Sequence, residues 1–281
     1  MNNKLIDFLA SDAGKRPYSA SPPHEASVGH RKASKGRPLS MCHFIAGFPT
    51  LAESEKIARA LINGGAHILE LQIPFSDPMA DGPAIAGACQ DALRAGVNVK
   101  KTLALAKKLS KQTTPIVLMS YINPVFKYGI AAFVRDAAAA GITALIIPDA
   151  PFDTPEGREL VENARKHAVC MIPVISPGVP FERLQELAKD ASGFVYCTTR
   201  QGTTGANSKF ATDLQKYIEQ ARRAFELPLG LGFGVKTRKD FKTAASLADI
   251  VIAGSVFVNA IRASKKPPSQ SVRKSLTELL F

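Results

Sequence analysis

The chain has 281 residues, 46% of them apolar and 21% charged, with 20 glycines and 19 prolines, so it can bury a substantial core and is not compositionally disordered. Its uncharged stretches, such as 112–126 and 137–148, are too short for a membrane span and carry Gly or Pro, which excludes a transmembrane role. The net charge of +12 is spread out, densest at Lys100, Lys101, Lys107, Lys108 and Lys111 and at Lys265, Lys266, Arg273 and Lys274. Without interleaved aromatics or a known module it reads as solvated helix faces rather than a nucleic-acid footprint, and it favours a small anionic substrate.

Residues 1–20 carry Asp7, Asp12, Lys15 and Arg16 in place of a continuous apolar run, so no secretory leader is expected and the cytoplasm is the expected location. Leu5, Ile6, Phe8 and Leu9 predict a short amphipathic helix over 3–10. From Ser11 to Ser40 the chain turns to Pro, Ser, Gly, His and basic residues that cannot offset ordering entropy by burial; it is expected to be a mobile insert, giving an N-terminal segment over 1–40 and a catalytic domain over 41–281. Thereafter eight short apolar runs recur, at 41–46, 67–73, 115–120, 143–147, 170–174, 193–197, 228–231 and 249–253. Helical patterns lie between them, near 52–64, 99–112, 130–140, 154–167, 180–190, 210–224, 237–246 and 255–263, with a last one at 270–281.

Such continuous runs alternating with helices mark a parallel sheet buried on both faces, and eight units fit a closed (β/α)8 TIM barrel. An open doubly wound sheet is the alternative, but its Gly-rich fingerprint does not follow the first run and no Walker A sequence is present. Cys42, Cys89, Cys170 and Cys197 are widely spaced with no metal or redox pattern, and are expected to be buried thiols.

In a barrel the site lies where strands end. The second exit reads Glu70-Leu-Gln-Ile-Pro-Phe-Ser-Asp77-Pro-Met-Ala-Asp81-Gly-Pro83, three carboxylates within fourteen residues, with the loop after the strand stiffened by Pro74 and Pro78. Glu70 lies between Ile68, Leu69, Leu71 and Ile73, where a charge is rare without a partner. It is either a rim residue paired with a lysine or a loop, or a carboxyl walled by apolar groups that exchanges a proton near neutrality. Asp81, in a polar Gly-flanked loop, is expected to stay ionised and to steady positive charge on a substrate, while Asp77 reads as a turn residue. Glycines gather at the last three exits, as Gly202-Thr-Thr-Gly205, Gly232-Phe-Gly234 and Gly254-Ser255. Their amides and the helix start predict a phosphate site. Tyr121, Asn123, Asp149 and Tyr196 are further exit residues, and His43 on the first run reads as a packed histidine.

The segment Glu70–Pro83 resembles the signature of the tryptophan synthase alpha chain. The resemblance continues in order through Ala46-Gly-Phe-Pro49, Ser120-Tyr-Ile-Asn123, Pro148-Asp-Ala-Pro151, Arg200-Gln-Gly-Thr-Thr-Gly205, Gly232-Phe-Gly234 and Gly254-Ser255. It covers about residues 41–264 and implies a carbon–carbon lyase of tryptophan biosynthesis that cleaves indole-3-glycerol phosphate to indole and glyceraldehyde 3-phosphate. Carried over, Glu70 would be the general acid/base and Asp81 the acceptor of the indole N–H. Gly205, Gly234, Gly254 and Ser255 would cradle the phosphate, with Phe233 beside it and Tyr121, Tyr196 and Thr204 lining or closing the substrate pocket. The resemblance further implies a beta-chain partner in an alpha2-beta2 heterotetramer, with 74–81 and the loop after the sixth strand as communication elements. The cofactor, pyridoxal phosphate, would belong to that partner, leaving none on this chain. A barrel that mainly binds and activates the beta chain is the alternative, and a different phosphosugar isomerase would leave 70–81 unexplained. Gln72, His43, Phe48 and the long insert depart from the family pattern; by strand alternation Gln72 shares the side of Glu70, where it would bond Glu70 or narrow the pocket.

Overall fold

The structure is a computed structural model and describes residues 3–11, 38–199, 210–232 and 234–280. All eight apolar runs form parallel strands: β1 (Leu39–Ile45), β2 (Ile68–Gln72), β3 (Ile116–Met119), β4 (Ala144–Ile146), β5 (Cys170–Met171), β6 (Val174–Ile175), β7 (Val195–Thr198), β8 (Leu229–Gly232) and β9 (Ile250–Ala253). The extra strand comes from the fifth run, which breaks at Pro173, a residue with no N–H to give a ladder. Its first half pairs with β4 and its second with β7, in the sheet order β5-β4-β3-β2-β1-β9-β8-β7-β6. Across the break, Ile172 N donates to Leu145 O at 3.0 Å and Tyr196 N to Pro173 O at 2.9 Å. The two ends of the sheet are therefore successive pieces of one strand, and the barrel closes. The open-sheet alternative falls.

The strands alternate between two apolar clusters. Leu69, Leu71, Leu118, Leu145, Val195, Leu231 and Val251 face the surrounding helices, whereas Met41, Ile68, Val117, Ala144, Ile146, Phe194, Ile250 and Ile252 fill the barrel. The outer layer comprises α2 (Leu51–Asn63), α3 (Pro83–Arg94), α4 (Val99–Leu109), α5 (Ile122–Tyr128), α6 (Ile130–Ala139), α7 (Pro155–Lys166), α8 (Phe181–Ala188), α9 (Phe210–Ala224), α10 (Arg238–Leu247), α11 (Ser255–Ala263) and α12 (Pro268–Leu280). Two of these, α3 and α5, carry no sequence prediction. The buried face of α3 is Ile85, Ala88, Cys89 and Ala92, too small to stand out as an apolar stripe, and α5 holds Pro124 in its first turn, where a missing N–H costs nothing.

The first helix, α1 (Lys4–Ala10), stoppers the N-terminal end of the barrel. The Asn3 side-chain oxygen caps it by accepting from Leu5 N at 2.9 Å, and the Asn3 amide donates to Thr143 O at 2.8 Å and Ala168 O at 2.6 Å. Leu5 and Leu9 are buried in the inner cluster, each worth about 1.5–3 kcal/mol of burial. Most of the expected insert, 12–37, lies outside the described residues. Its end does not: Leu39 and Ser40 are buried and open β1, so the barrel begins two residues before the boundary read from composition.

Candidate active site

Along β2, Ile68 joins the inner cluster while Leu69 and Leu71 face the helices, so Glu70 and Gln72 point into the C-terminal mouth of the barrel. Glu70 is 2% exposed and Gln72 is fully buried. The register pairs His43 of β1 with Glu70, and the imidazole Nδ1 lies 3.2 Å from Glu70 Oε2, close enough for an ion pair. The rim pairing with a lysine considered for Glu70 is replaced by this histidine, which is 7% exposed.

Gln72 does not bond Glu70. Its amide donates to Asp81 Oδ2 at 2.6 Å, and the same oxygen accepts from the Tyr121 hydroxyl at 3.0 Å. That hydroxyl oxygen in turn accepts from Ala80 N at 3.0 Å, and the Tyr121 ring lies 5.4 Å from that of Phe75, so the stiff loop is fastened to the barrel mouth at several points. Asp81 is thus turned inward rather than standing in the open polar loop expected of it. Burial pushes its carboxyl above the usual carboxylate range, against the opposing pull of His43 and of the bonds from Gln72 and Tyr121. Asp77 stays exposed, and its carboxylate accepts from the Ser76 hydroxyl rather than from the backbone.

Tyr196 of β7 faces the same mouth, partly buried. Burial, then the charges of Glu70, Asp81 and Tyr121, hold its phenol well above its ordinary range, so it stays a neutral donor. Two glycines make room for these groups. A Cβ on Gly232 would come within 2.8 Å of the Tyr196 hydroxyl, and one on Gly254 within 3.0 Å of His43. Gly254 is followed by Ser255, the first residue of α11, and no side chain caps the amides there among the described residues. Gly234, after β8, is exposed with φ +64°. Because β1 lies between β2 and β9, His43 lies between Glu70 and Gly254. Thr204, Gly205 and Phe233 lie outside the described residues. Asp149 and Asn123 do not join the cluster: Asp149 is exposed and accepts from Ile122 N at 2.8 Å at the start of α5, on which Asn123 is also exposed.

Sequence reasoning placed Gln72 on the side of Glu70 by alternation, but its bond to Asp81 depends on how the loop folds back. The meeting of His43 with Glu70 rests on strand register, which one sequence does not show.

The family model of the tryptophan synthase alpha chain matches residues 30–279. A tryptophan synthase alpha chain of Syntrophotalea carbinolica is 35% identical over 253 residues, 90% of this chain and 99% of the relative. Another, of Desulforapulum autotrophicum, is 37% identical over 84% of this chain and 93% of its own. Among solved structures, the tryptophan synthase subunit alpha of Legionella pneumophila superposes with a TM-score of 0.83 at 28% identity, covering 99% of this chain and 97% of that one. A chain of Mycobacterium tuberculosis tryptophan synthase gives 0.79 at 34% identity over 86% of this chain and 91% of its own. A closed barrel with a buried glutamate on β2, an aspartate folded back from the next loop, and this breadth of likeness lead to one conclusion: the chain belongs to the tryptophan synthase alpha chain family.

Proposed function

We propose that the chain is a carbon–carbon lyase that cleaves indole-3-glycerol phosphate to indole and glyceraldehyde 3-phosphate, with Glu70 as general acid/base. The observation that carries this reading is the buried Glu70 carboxyl at the mouth, with a separately anchored Asp81 on the same side of the barrel. Carbon–carbon cleavage needs somewhere for the bonding electrons to go. Protonating C3 of the indole ring creates an iminium, and as the glycerol hydroxyl gives up its proton the bond opens and its electrons refill the ring. One proton enters and one leaves, so a single carboxyl can perform both transfers. Asp81 accepts the ring N–H and its charge opposes the developing iminium charge. Tyr121 and Tyr196 line the pocket. Thr204 belongs with them, and Gly205, Gly234, Gly254 and Ser255, with Phe233 beside them, hold the phosphate end, where uncapped helix amides suit an anion. The step balances on substrate and carboxyl alone, so we assign this chain no resident cofactor and place pyridoxal phosphate on the partner.

That partner is a beta chain, in an alpha2-beta2 assembly. Met79, 77% exposed, and Phe126, 67% exposed, follow β2 and β3 on the mouth side and supply apolar area for docking. Met79 adjoins Ala80, whose amide reaches Tyr121, so pressure on this loop would be felt at Asp81. Four buried, unpaired cysteines fit a reducing compartment, and we place the protein in the cytoplasm.

The test is indole release from indole-3-glycerol phosphate by purified protein, with and without beta chain. Turnover supports the lyase. Stimulation of the beta chain without any cleavage would instead favour the interaction module, a reading that the Gln72 bond to Asp81 keeps open. Gln72→Glu is expected to place a third carboxyl beside Asp81 and Glu70 and to lower thermal stability. The loss should be larger near about pH 8 than near about pH 5, where protonation relieves the repulsion. Melting curves at both pH values check this, and a pH-independent change would contradict it.

A further inference from the structure

Among the described residues, three buried side-chain polar atoms have no hydrogen-bond partner within the protein: His43 Nε2, Glu70 Oε2 and Gln72 Oε1. They belong to three residues less than 10% exposed, grouped at one end of the barrel. A histidine that merely packs would turn its ring to apolar walls. His43 instead sets Nδ1 3.2 Å from Glu70 Oε2, with the Gly254 backbone against its other face.

We propose that His43 is a positioning residue for the lyase reaction, donating from Nδ1 to Glu70 Oε2 so that the mobile proton resides on Oε1. The inference rests on the lyase reading above and extends it to a residue that reading leaves unused. In the competent state the imidazole is neutral and the carboxyl carries one proton. Glu70 passes that proton from Oε1 to C3 of the ring, and the resulting carboxylate is steadied by the Nδ1–H. When the carbon–carbon bond opens, the hydroxyl proton returns to Oε1. The pair ends with the proton it began with, and His43 undergoes no net change. The 3.2 Å separation is not aligned as a hydrogen bond, and substrate held in the mouth is expected to align it.

The arrangement has a signature. Protonation at Nε2 adds one proton to the pair and makes His43 an imidazolium, whose charge leaves the carboxylate formed after the first transfer too weak a base to take the hydroxyl proton; the second transfer stops, so His43 owns the acid limb of the rate profile. Among the described residues the titratable groups facing it are Glu70 on β2 and Asp81 in the following loop, with Tyr196 facing those two carboxyls from across the mouth; the β9 side presents the Gly254 backbone. Burial lowers the imidazole's proton affinity, but the neighbouring Glu70, Asp81 and Gln72 outweigh it, so the limb lies above the ordinary imidazole range.

The test combines kinetics with a titration that needs no turnover. In complex with the beta chain, His43→Phe is expected to lose about 10- to 100-fold in kcat with little change in KM, and to lose the acid limb. His43→Asn keeps a donor without a titrating ring, and is expected to recover kcat to within about 3-fold while still lacking that limb. Retention of both kcat and the limb in His43→Phe would overturn the proposal, as would failure of His43→Asn to rescue. By proton NMR the His43 ring should titrate at lower pH in Glu70→Gln than in the wild type; an unchanged midpoint would also overturn it. Failure of the lyase reading is separately visible as no indole from the wild type. That result would remove the role of His43 in the reaction while the NMR arm still reports the pair.

Discussion

Glu70→Gln is expected to abolish indole release while leaving the fold intact. The amide matches the carboxyl in shape and can still meet His43 Nδ1, 3.2 Å away in the wild type, so the buried neighbourhood keeps its packing. It cannot carry the proton that makes the ring an electron sink, nor take one from the hydroxyl. A general acid/base supplies about 10² to 10⁴ in rate, and here one group serves two transfers, so a loss at or beyond the upper end is expected. The measurement is single-turnover indole formation alongside a melting curve. Turnover near the wild-type level in a folded variant would remove Glu70 from the chemistry.

Asp81→Asn should cost less, about 10- to 100-fold in kcat/KM. Its remaining carbonyl oxygen can still accept from Gln72 and Tyr121, which make bonds of 2.6 Å and 3.0 Å to Oδ2. The other oxygen becomes an NH2 group, so the ring N–H meets a donor and the iminium loses its counter-charge. Stability should move the other way. Burial raises the Asp81 carboxyl above its unfolded value, so its contribution to stability is present at low pH and lost as pH rises through the folded value. At neutral pH the wild type therefore bears a buried charge that the variant lacks, and Asp81→Asn is expected to melt no lower than wild type, and higher as pH rises. A steady-state assay paired with melting curves across pH checks both halves. Wild-type activity, or a destabilisation that grows with pH, would contradict the assignment.

How far the fold was legible follows from where its information is stored. Strands buried on both faces must be apolar throughout, so all eight runs stand out. Helices with large side chains on one face, such as Ile57 and Leu61 in α2, stand out as well. α3 does not, because alanines and a cysteine form most of its buried face. The break in the fifth strand hangs on Pro173, visible in sequence, but that its two halves serve different neighbours is a property of the closed sheet. At the site, a charge inside an apolar run exposed Glu70 to sequence reasoning, and glycine clustering exposed Gly254. Asp81 was found, yet its surroundings were misjudged, because a loop's polarity in sequence says little about which way it folds. His43 looked like core, since only register brings it to Glu70.

The stopper formed by α1 has a consequence for traffic. With Leu5 and Leu9 wedged beneath the inner cluster, the barrel is a blind-ended vessel. Reactant and both fragments must share the opposite aperture, so whatever docks against Met79 and Phe126 would meter release as well as entry.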